Sequence, residues 1–343
     1  MDHPVQHAFV SAVRQAWPPF VLVVGLLLIG AVVEADGLFV ALGTRIERIG
    51  GGPITLLATL LGLVAVVTAV LNLDTALVFL TPIVIHAARQ RECDERPFLY
   101  GTLFMANGAS LLLPGSNLTN LIVLAHEDLS GAEVAHRMLL PWLAVVAITI
   151  VYVAAVFRLR HENGSPEPLP PLRLGVGAAA TAVATLLMLA LRNPAVPVLV
   201  VGLAAIWLRR IRPRLDLHVL GALFALAVAL GTLARRWHGP ASLLGRLGAS
   251  GDAIIGALAS VLVNNLPAAT LLSAEKPAHP LPLLIGLDLG PNLLFTGSLS
   301  AYLWYQAARR TGTQPSLRLA ALLGLGLVPL TIGVALAALS AMG

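Results

Sequence analysis

The sequence predicts an all-α, polytopic membrane protein built as an inverted repeat, with two re-entrant hairpins and two broken transmembrane helices. Three observations predict it. Of 343 residues, 57% are hydrophobic and 11% charged, at a mean hydropathy of +0.86. A water-soluble domain cannot bury that much apolar surface behind so little charge. Several apolar runs reach the roughly 17–25 residues that cross a bilayer as a helix. Finally, one interrupted pattern rich in small polar residues occurs twice along the chain.

The elements follow in order. Residues 1–19 have no apolar core, and the run after them lacks a small-residue cleavage site, so no cleavable signal peptide is expected. Residues 19–33 form a first span, and 37–49 an amphipathic stretch suited to the membrane interface. Residues 53–71 are apolar, break around Asn72-Leu73-Asp74, and resume over 75–88; residues 89–97 are a charged loop. The run 98–113 breaks at Pro114-Gly115-Ser116-Asn117 and resumes over 118–125. A span at 139–157 completes an N-terminal half, residues 1–157. Residues 158–172 are polar and rich in Pro and Glu, and form the expected cytoplasmic linker. The C-terminal half, 173–343, opens with three spans at 174–191, 194–208 and 215–234. A second hairpin, 251–273, is interrupted at Asn264-Asn265-Leu266-Pro267. A second broken helix, 281–308, is interrupted from Gly290-Pro291-Asn292 to Gly297-Ser298, and 317–341 is the final span.

The repeat is visible residue by residue. Residues 107–122 align without gaps on 289–304 with six identities: Gly108/Gly290, Leu111/Leu293, Leu112/Leu294, Gly115/Gly297, Ser116/Ser298 and Leu121/Leu303. Leucine matches are cheap in such a chain; the Gly and Ser matches at the break are not. Upstream, Val70-Leu71 with Asp74 matches Val261-Leu262 with Asn265. Internal repeats with broken helices at corresponding positions point to a transporter site.

Charge sets the orientation. If both hairpins enter and leave on one side and both broken helices cross, 15 of the 22 basic residues share a side: Arg45, Arg48, Arg89, Arg91, Arg96, Arg158, Arg160, Arg173, Arg209, Arg210, Arg212, Arg214, Arg309, Arg310 and Arg318. That side is therefore expected in the cytoplasm, in a cell inner (cytoplasmic) membrane. The two hairpins then open on opposite sides, so the inversion follows from the counting. Basic residues clustered between apolar runs are topology signals, and no nucleic-acid partner is expected.

Backbone that leaves the helix inside a bilayer must be satisfied by protein, water or ligand. Helix N-termini after the breaks offer N–H donors to anionic or hydroxylated solutes, while carbonyls and Asn side chains offer acceptors to cations. Asn72, Asp74, Thr75, Asn107, Ser110, Ser116, Asn117 and Asn120 are expected to face Asn264, Asn265, Asp288, Asn292, Thr296, Ser298 and Ser300 near the midplane. The Asn, Ser and Thr residues other than Ser300 are substrate-binding candidates; for the small ones, close helix packing is the alternative. Asp74 and Asp288 are ion-coupling candidates, as proton carriers or cation ligands, against the alternative of a structural helix cap. Glu34, Asp36 and Asp252 lie near span ends and are expected at the interface. His86, His126, His136 and His161 map to loops or span ends, and His218 begins a span.

No metal site or cofactor is expected. The single Cys93 excludes an intramolecular disulfide and a thiolate cluster. The chain lacks a Walker-type phosphate loop, His-Glu-x-x-His and Gly-x-Ser-x-Gly, so it does not read as an enzyme. No Arg or Lys is expected deep in a span, which leaves an anion to helix dipoles, Asn side chains and a co-bound cation.

Leu80-Thr81-Pro82-Ile83-Val84 after Asp74, Ala106-Asn107-Gly108-Ala109-Ser110-Leu111, Ser116-Asn117-Leu118-Thr119-Asn120 and Val263-Asn264-Asn265-Leu266-Pro267-Ala268 form one set of motifs. Asp288-Leu289-Gly290-Pro291, Thr296-Gly297-Ser298-Leu299 and Leu303-Trp304 form another. Together, over residues 20–341, they resemble the arsenite efflux permeases. These belong to an ion transporter superfamily that also holds divalent-anion symporters and sodium/proton antiporters. The resemblance implies an inverted-repeat transporter with elevator-type movement, often homodimeric, exporting arsenite or antimonite with protons or an attached ATPase subunit. The chain departs from that pattern. Leu73 and Thr75 flank Asp74 where the family has Asn-Asp-Gly, and Asn107-Gly108 stand where the permeases carry Asp-Thr. The family's chains are usually longer, and its opening scaffold spans are not expected in this sequence.

The resulting expectation is a secondary transporter in the lipid bilayer, coupled to a proton and exporting arsenite, antimonite or a similar small oxyacid. The alternatives are a dicarboxylate, citrate or sodium-coupled transporter of the same superfamily, and a non-transporting membrane paralogue.

Overall fold

A computed structural model of the chain describes residues 3–159, 174–213, 215–237, 239 and 241–342. The expected linker, beyond its first two residues, lies outside the described residues, as do Arg160, His161, Arg173 and Arg214. Among the described residues the fold is all-helical. The first part holds α1 (His3–Ala35), α2 (Leu38–Glu47), α3 (Pro53–Val70), α4 (Leu73–Gln90), α5 (Glu95–Ala109), α6 (Leu118–Leu124) and α7 (Gly131–Val156). The second holds α8 (Val176–Ala190), α9 (Ala195–Arg209), α10 (Leu217–Arg236), α11 (Gly248–Val263), α12 (Asn265–Leu272), α13 (Pro280–Leu289), α14 (Leu299–Arg310) and α15 (Leu317–Ser340). Of these, α1, α3, α7, α10 and α15 are long and apolar enough to cross a membrane. The protein is a multi-pass membrane protein.

Contacts between loops establish the inverted arrangement. Arg91, just past α4, donates to the carbonyls of Ile49 (3.1 Å) and Gly51 (2.5 Å) just before α3, so both arms of the α3–α4 hairpin open at one end of the bundle. Arg89 at that end donates to the Thr311 carbonyl after α14 (2.8 Å), and the Ser316 N–H before α15 donates to Tyr100 Oη in α5 (2.9 Å). Chain entry into α5 and exit from α14 therefore share this arginine-rich end. At the opposite end, Lys276 before α13 pairs with Glu127 after α6 (3.1 Å). Asp252 near the start of α11 there meets Nδ1 of His279, the residue just before α13 (2.8 Å). Thus α5–α6 and α13–α14 run antiparallel, and the two hairpins open at opposite ends.

Burial separates an inner from an outer layer. Every residue of α5 from Pro97 to Ala109, and of α13 from Leu281 to Leu289, is buried. Helices apolar all round belong inside a protein. By contrast α7, α9 and α15 bury one stripe and turn residues such as Leu143, Val151, Val200, Leu203, Leu322 and Leu325 outward, where the bilayer receives them.

Two helix starts differ from the expectation. Helix α1 begins at His3 and continues through Pro18 and Pro19; Ala8, Ala12 and Ala16 form a buried small-residue stripe, and the latter two pack with Phe20 against Ala227 and Val228 of α10. Helix α7 begins at Gly131, ahead of its apolar stretch. Ser130 and Glu133 form a reciprocal capping box there: Glu133 N–H donates to Ser130 Oγ (3.2 Å) and Ser130 N–H to Glu133 Oε2 (2.6 Å).

Candidate functional site

Each break in a transmembrane path has a local cause. Helix α5 ends where Ser110 Oγ turns back to the Asn107 carbonyl (2.7 Å). Leu113 is extended (φ −121°, ψ 148°), as a residue before proline prefers, and Pro114–Ser116 make a short 3-10 turn. Asn117, extended, then caps α6 by accepting from Thr119 N–H (3.1 Å). The second path repeats this with 3-10 turns Gly290–Asn292 and Phe295–Gly297, after which extended Ser298 caps α14 by accepting from Ser300 N–H (3.1 Å).

These caps correct the register of the repeat. Asn117, not Ser116, occupies the place of Ser298, so the gapless alignment is one residue out downstream of the break. At the hairpin tips Asn72 caps α4 and Asn264 caps α12, so Asp74 is likewise offset by one from Asn265. The side chain of Ser116 bonds locally to the carbonyls of Ser110 and Leu113.

Around Asp288 the two breaks interlock. Asn117 Nδ2 donates to Asp288 Oδ1 (2.8 Å), and Asn107 Nδ2 donates to Asn292 Oδ1 (2.7 Å), joining residues from opposite halves of the chain. Ser110 and Asn120 flank the same carboxylate but spend their donors elsewhere, Ser110 as above and Asn120 Nδ2 on the Ser110 carbonyl (2.7 Å). Consequently Asp288 Oδ2, Asn120 Oδ1 and Asn107 Oδ1 are buried without hydrogen-bond partners. All three are acceptors. Buried acceptors without donors cost free energy unless a cation, proton or hydroxyl meets them.

Asp288 is aimed by glycine. Gly286 and Gly290, four apart, lie on the α13 face that touches α11. A Cβ at Gly290 would come within 2.6 Å of Ala257 Cα, and one at Gly286 would overlap the Ala253 carbonyl oxygen. Two small residues four apart let helices approach at backbone distance. Residue 288, between them in sequence, lies on the other face, toward α6.

A second polar group joins the first hairpin to the second broken helix: Ser300 Oγ donates to Asp74 Oδ1 (2.6 Å) in the first turn of α4. Asn72 Oδ1 accepts from Thr75 N–H (2.7 Å), and Thr75 packs against Gly30 of α1. The expected meeting of all fifteen polar residues at one point is therefore replaced by two clusters. Asn107, Ser110, Asn117, Asn120, Asp288 and Asn292 make the first; Asn72, Asp74, Thr75, Ser298 and Ser300 make the second. Asn264 and Thr296 form a separate contact, Asn264 Nδ2 donating to the Thr296 carbonyl (3.1 Å), and Asn265 is buried at the start of α12.

Three residues depart from the sequence expectation. Asp252 is fully buried rather than interfacial, accepting from Gly245 N–H (2.8 Å) beside His279. Gln15, unremarked in the sequence, is buried and donates to the carbonyls of Ile122 (3.0 Å) and Ser273 (2.9 Å). Arg235, just past the expected span 215–234, is half-buried and donates to Gln15 Oε1 (2.6 Å). The Gly286-x-x-x-Gly290 spacing was a legible signal for the aim of Asp288; Gln15 left none, being one polar residue in a polar stretch.

A cavity of about 740 Å³ opens at the end bearing Arg192 and Lys276 and reaches inward to Pro114 and Gly115 at the first break.

The family model for citrate transporters (CitMHS) matches residues 7–290. That span is well over half of the chain and includes Asp74, Asn117 and Asp288, and the chain belongs to this family. It is a secondary transporter of the ion transporter superfamily, of the kind that carries citrate or similar carboxylates.

Proposed function

We propose that this protein moves a di- or tricarboxylate such as citrate across the cytoplasmic membrane, coupled to a cation held at Asp288. The observation that carries this reading is the trio of unpartnered buried acceptors at Asp288, Asn120 and Asn107. A proton on Asp288 Oδ2, or a sodium ion held beside it, gives that oxygen a partner and offsets the carboxylate. Its charge gives an anionic cargo a place to bind where no basic side chain lies in the cluster. The family match supports a carboxylate cargo over arsenite, the cargo of the permeases that the motifs resemble. In the same reading the arginine-rich end faces the cytoplasm. The hairpins and broken helices move as a unit against α1 and α8–α10, and a homodimer supplies any further scaffold.

Uptake of labelled citrate, succinate and arsenite into proteoliposomes under imposed proton or sodium gradients tests the proposal. Citrate or succinate flux that follows one gradient is expected, with loss of that dependence in Asp288→Asn. Gradient-driven citrate flux unchanged in Asp288→Asn removes the coupling role, and arsenite flux alone returns the cargo to the oxyacid.

A further inference from the structure

The cavity at the opposite end is unlike a passive opening. Its volume, about 740 Å³, falls in the roughly 300–1,000 Å³ range of small-molecule sites. Four basic side chains line it: Arg14, Arg192, Arg235 and Lys276. Two are neutralised locally, Arg192 by Asp128 (2.7 Å) and Lys276 by Glu127 (3.1 Å). The other two are not. Arg14 has no ion-pair partner among the described residues. Arg235 donates to the neutral acceptors Gln15 Oε1 (2.6 Å) and the Gly231 carbonyl (2.9 Å), and Glu275, also on the cavity wall, acts on it as a nearby charge with no ion pair between the two.

The Arg235 guanidinium is also held in place. Gln15, which orients it, is itself buried and fixed by the Ile122 and Ser273 carbonyls. Beside it, His126 Nε2 is buried without a partner. Burial, and then the Arg235 charge, hold His126 below its ordinary pKa, so at neutral pH it brings hydrogen-bonding capacity rather than charge. The inner wall, Pro114 and Gly115, adjoins the Ser116-Asn117 segment that reaches Asp288.

We propose that Arg14 and Arg235 make this cavity a second anion site, one that docks a di- or tricarboxylate before it reaches the cluster at Asp288. The carboxylate identity of the anion rests on the proposed function; the anion site rests on the two guanidiniums without carboxylate partners. A cavity lined by one excess sign of charge concentrates its counter-ion. An anionic lipid headgroup shares this chemistry, and the experiment separates the two.

Cys93 lies in the loop at the arginine-rich end, away from the cavity, so a Cys93→Ser background allows a single reporter, Ser11→Cys, on the cavity wall. Its modification by anionic and cationic methanethiosulfonates is compared in nanodiscs of zwitterionic lipid. The anionic reagent is expected to be favoured roughly 10-fold over the ratio seen with a free thiol. Citrate should slow the reaction, and Arg14→Gln with Arg235→Gln should remove both effects. Arg14→Gln alone, at a side chain with no hydrogen bond or ion pair among the described residues, should remove part of the preference without disturbing the Gln15 contacts. Equal rates for the two reagents, or a preference that survives loss of both arginines, overturns the site. Protection that appears only with anionic lipid assigns it to a headgroup and overturns carboxylate docking. Because the readout is reactivity, a protein that moves no citrate yet keeps this charge preference refutes the transport reading and leaves the site.

Discussion

The two hairpin tips solve the same problem with different numbers of residues. In the first, Leu71 ends α3 and Asn72 begins α4, so two residues share the reversal and Asn72 stays in ordinary extended backbone (φ −176°). In the second, Asn264 is both the end of α11 and the cap of α12, and it is driven to φ 76°. The tighter turn is also the less covered. Leu71 and Leu73 are each 2% exposed, whereas Leu262 and Val263 are 80% and 48% exposed. One residue fewer thus gives a strained, accessible tip. The longer tip sinks into the core and leaves its carboxylate, Asp74, free to reach Ser300 across the pseudo-symmetry.

The broken helices differ in a related way. At the second break, a Cβ on Gly290 or Gly297 meets backbone: Ala257 Cα at 2.6 Å and Pro291 Cα at 2.7 Å. At the first, a Cβ on Gly108 or Gly115 meets the side chains of Val145 and Met188. Side-chain ends yield and backbone does not. The break beside Asp288 is thus packed on backbone, and the break that leads to Asn117 and Asn120 on side chains that can give.

Three experiments press on this contrast, from the largest expected effect to the smallest. Gly290→Ala and Gly297→Ala should each destabilise the protein by about 1–3 kcal/mol, and Gly108→Ala and Gly115→Ala by less than ~1 kcal/mol, read from unfolding midpoints in detergent. Equal losses at both breaks erase the distinction. Next, Asn264→Ala should be ~1–2 kcal/mol less stable than Asn264→Gly, because both lose the side-chain bonds and only Ala keeps a Cβ at positive φ. At Asn72 the pattern changes: Asn72→Ala loses the bond to Thr75 N–H for about 1 kcal/mol, and backbone strain plays no part. Asn264→Ala as stable as Asn264→Gly shows that the tip relaxes. Smallest, Ser300→Ala should cost on the order of 1 kcal/mol through loss of the bond to Asp74, and leave gradient coupling intact if the cation sits at Asp288. Loss of coupling in Ser300→Ala moves the cation to the first hairpin.

Much of this protein was legible along the chain because bilayer constraints are local. Apolar run length, the polar breaks, the split of arginines between two ends and the antiparallel course of the halves all follow from span thickness and backbone satisfaction. The candidate site was legible as a set of residue types, since Asn and Asp inside a span announce themselves. Its pairing was not. Asn117 and Asp288 are 171 residues apart, Asn107 and Asn292 are 185, and Asp74 and Ser300 are 226. A register error of one residue turns a helical side chain by about 100°, and at both the hairpin tips and the breaks the sequence match was one residue out. Only the packed structure decides which oxygen meets which donor. It does so through the backbone contact of α13 on α11, which fixes the rotation of Asp288, and through Gln15, which holds Arg235 on the wall of the cavity.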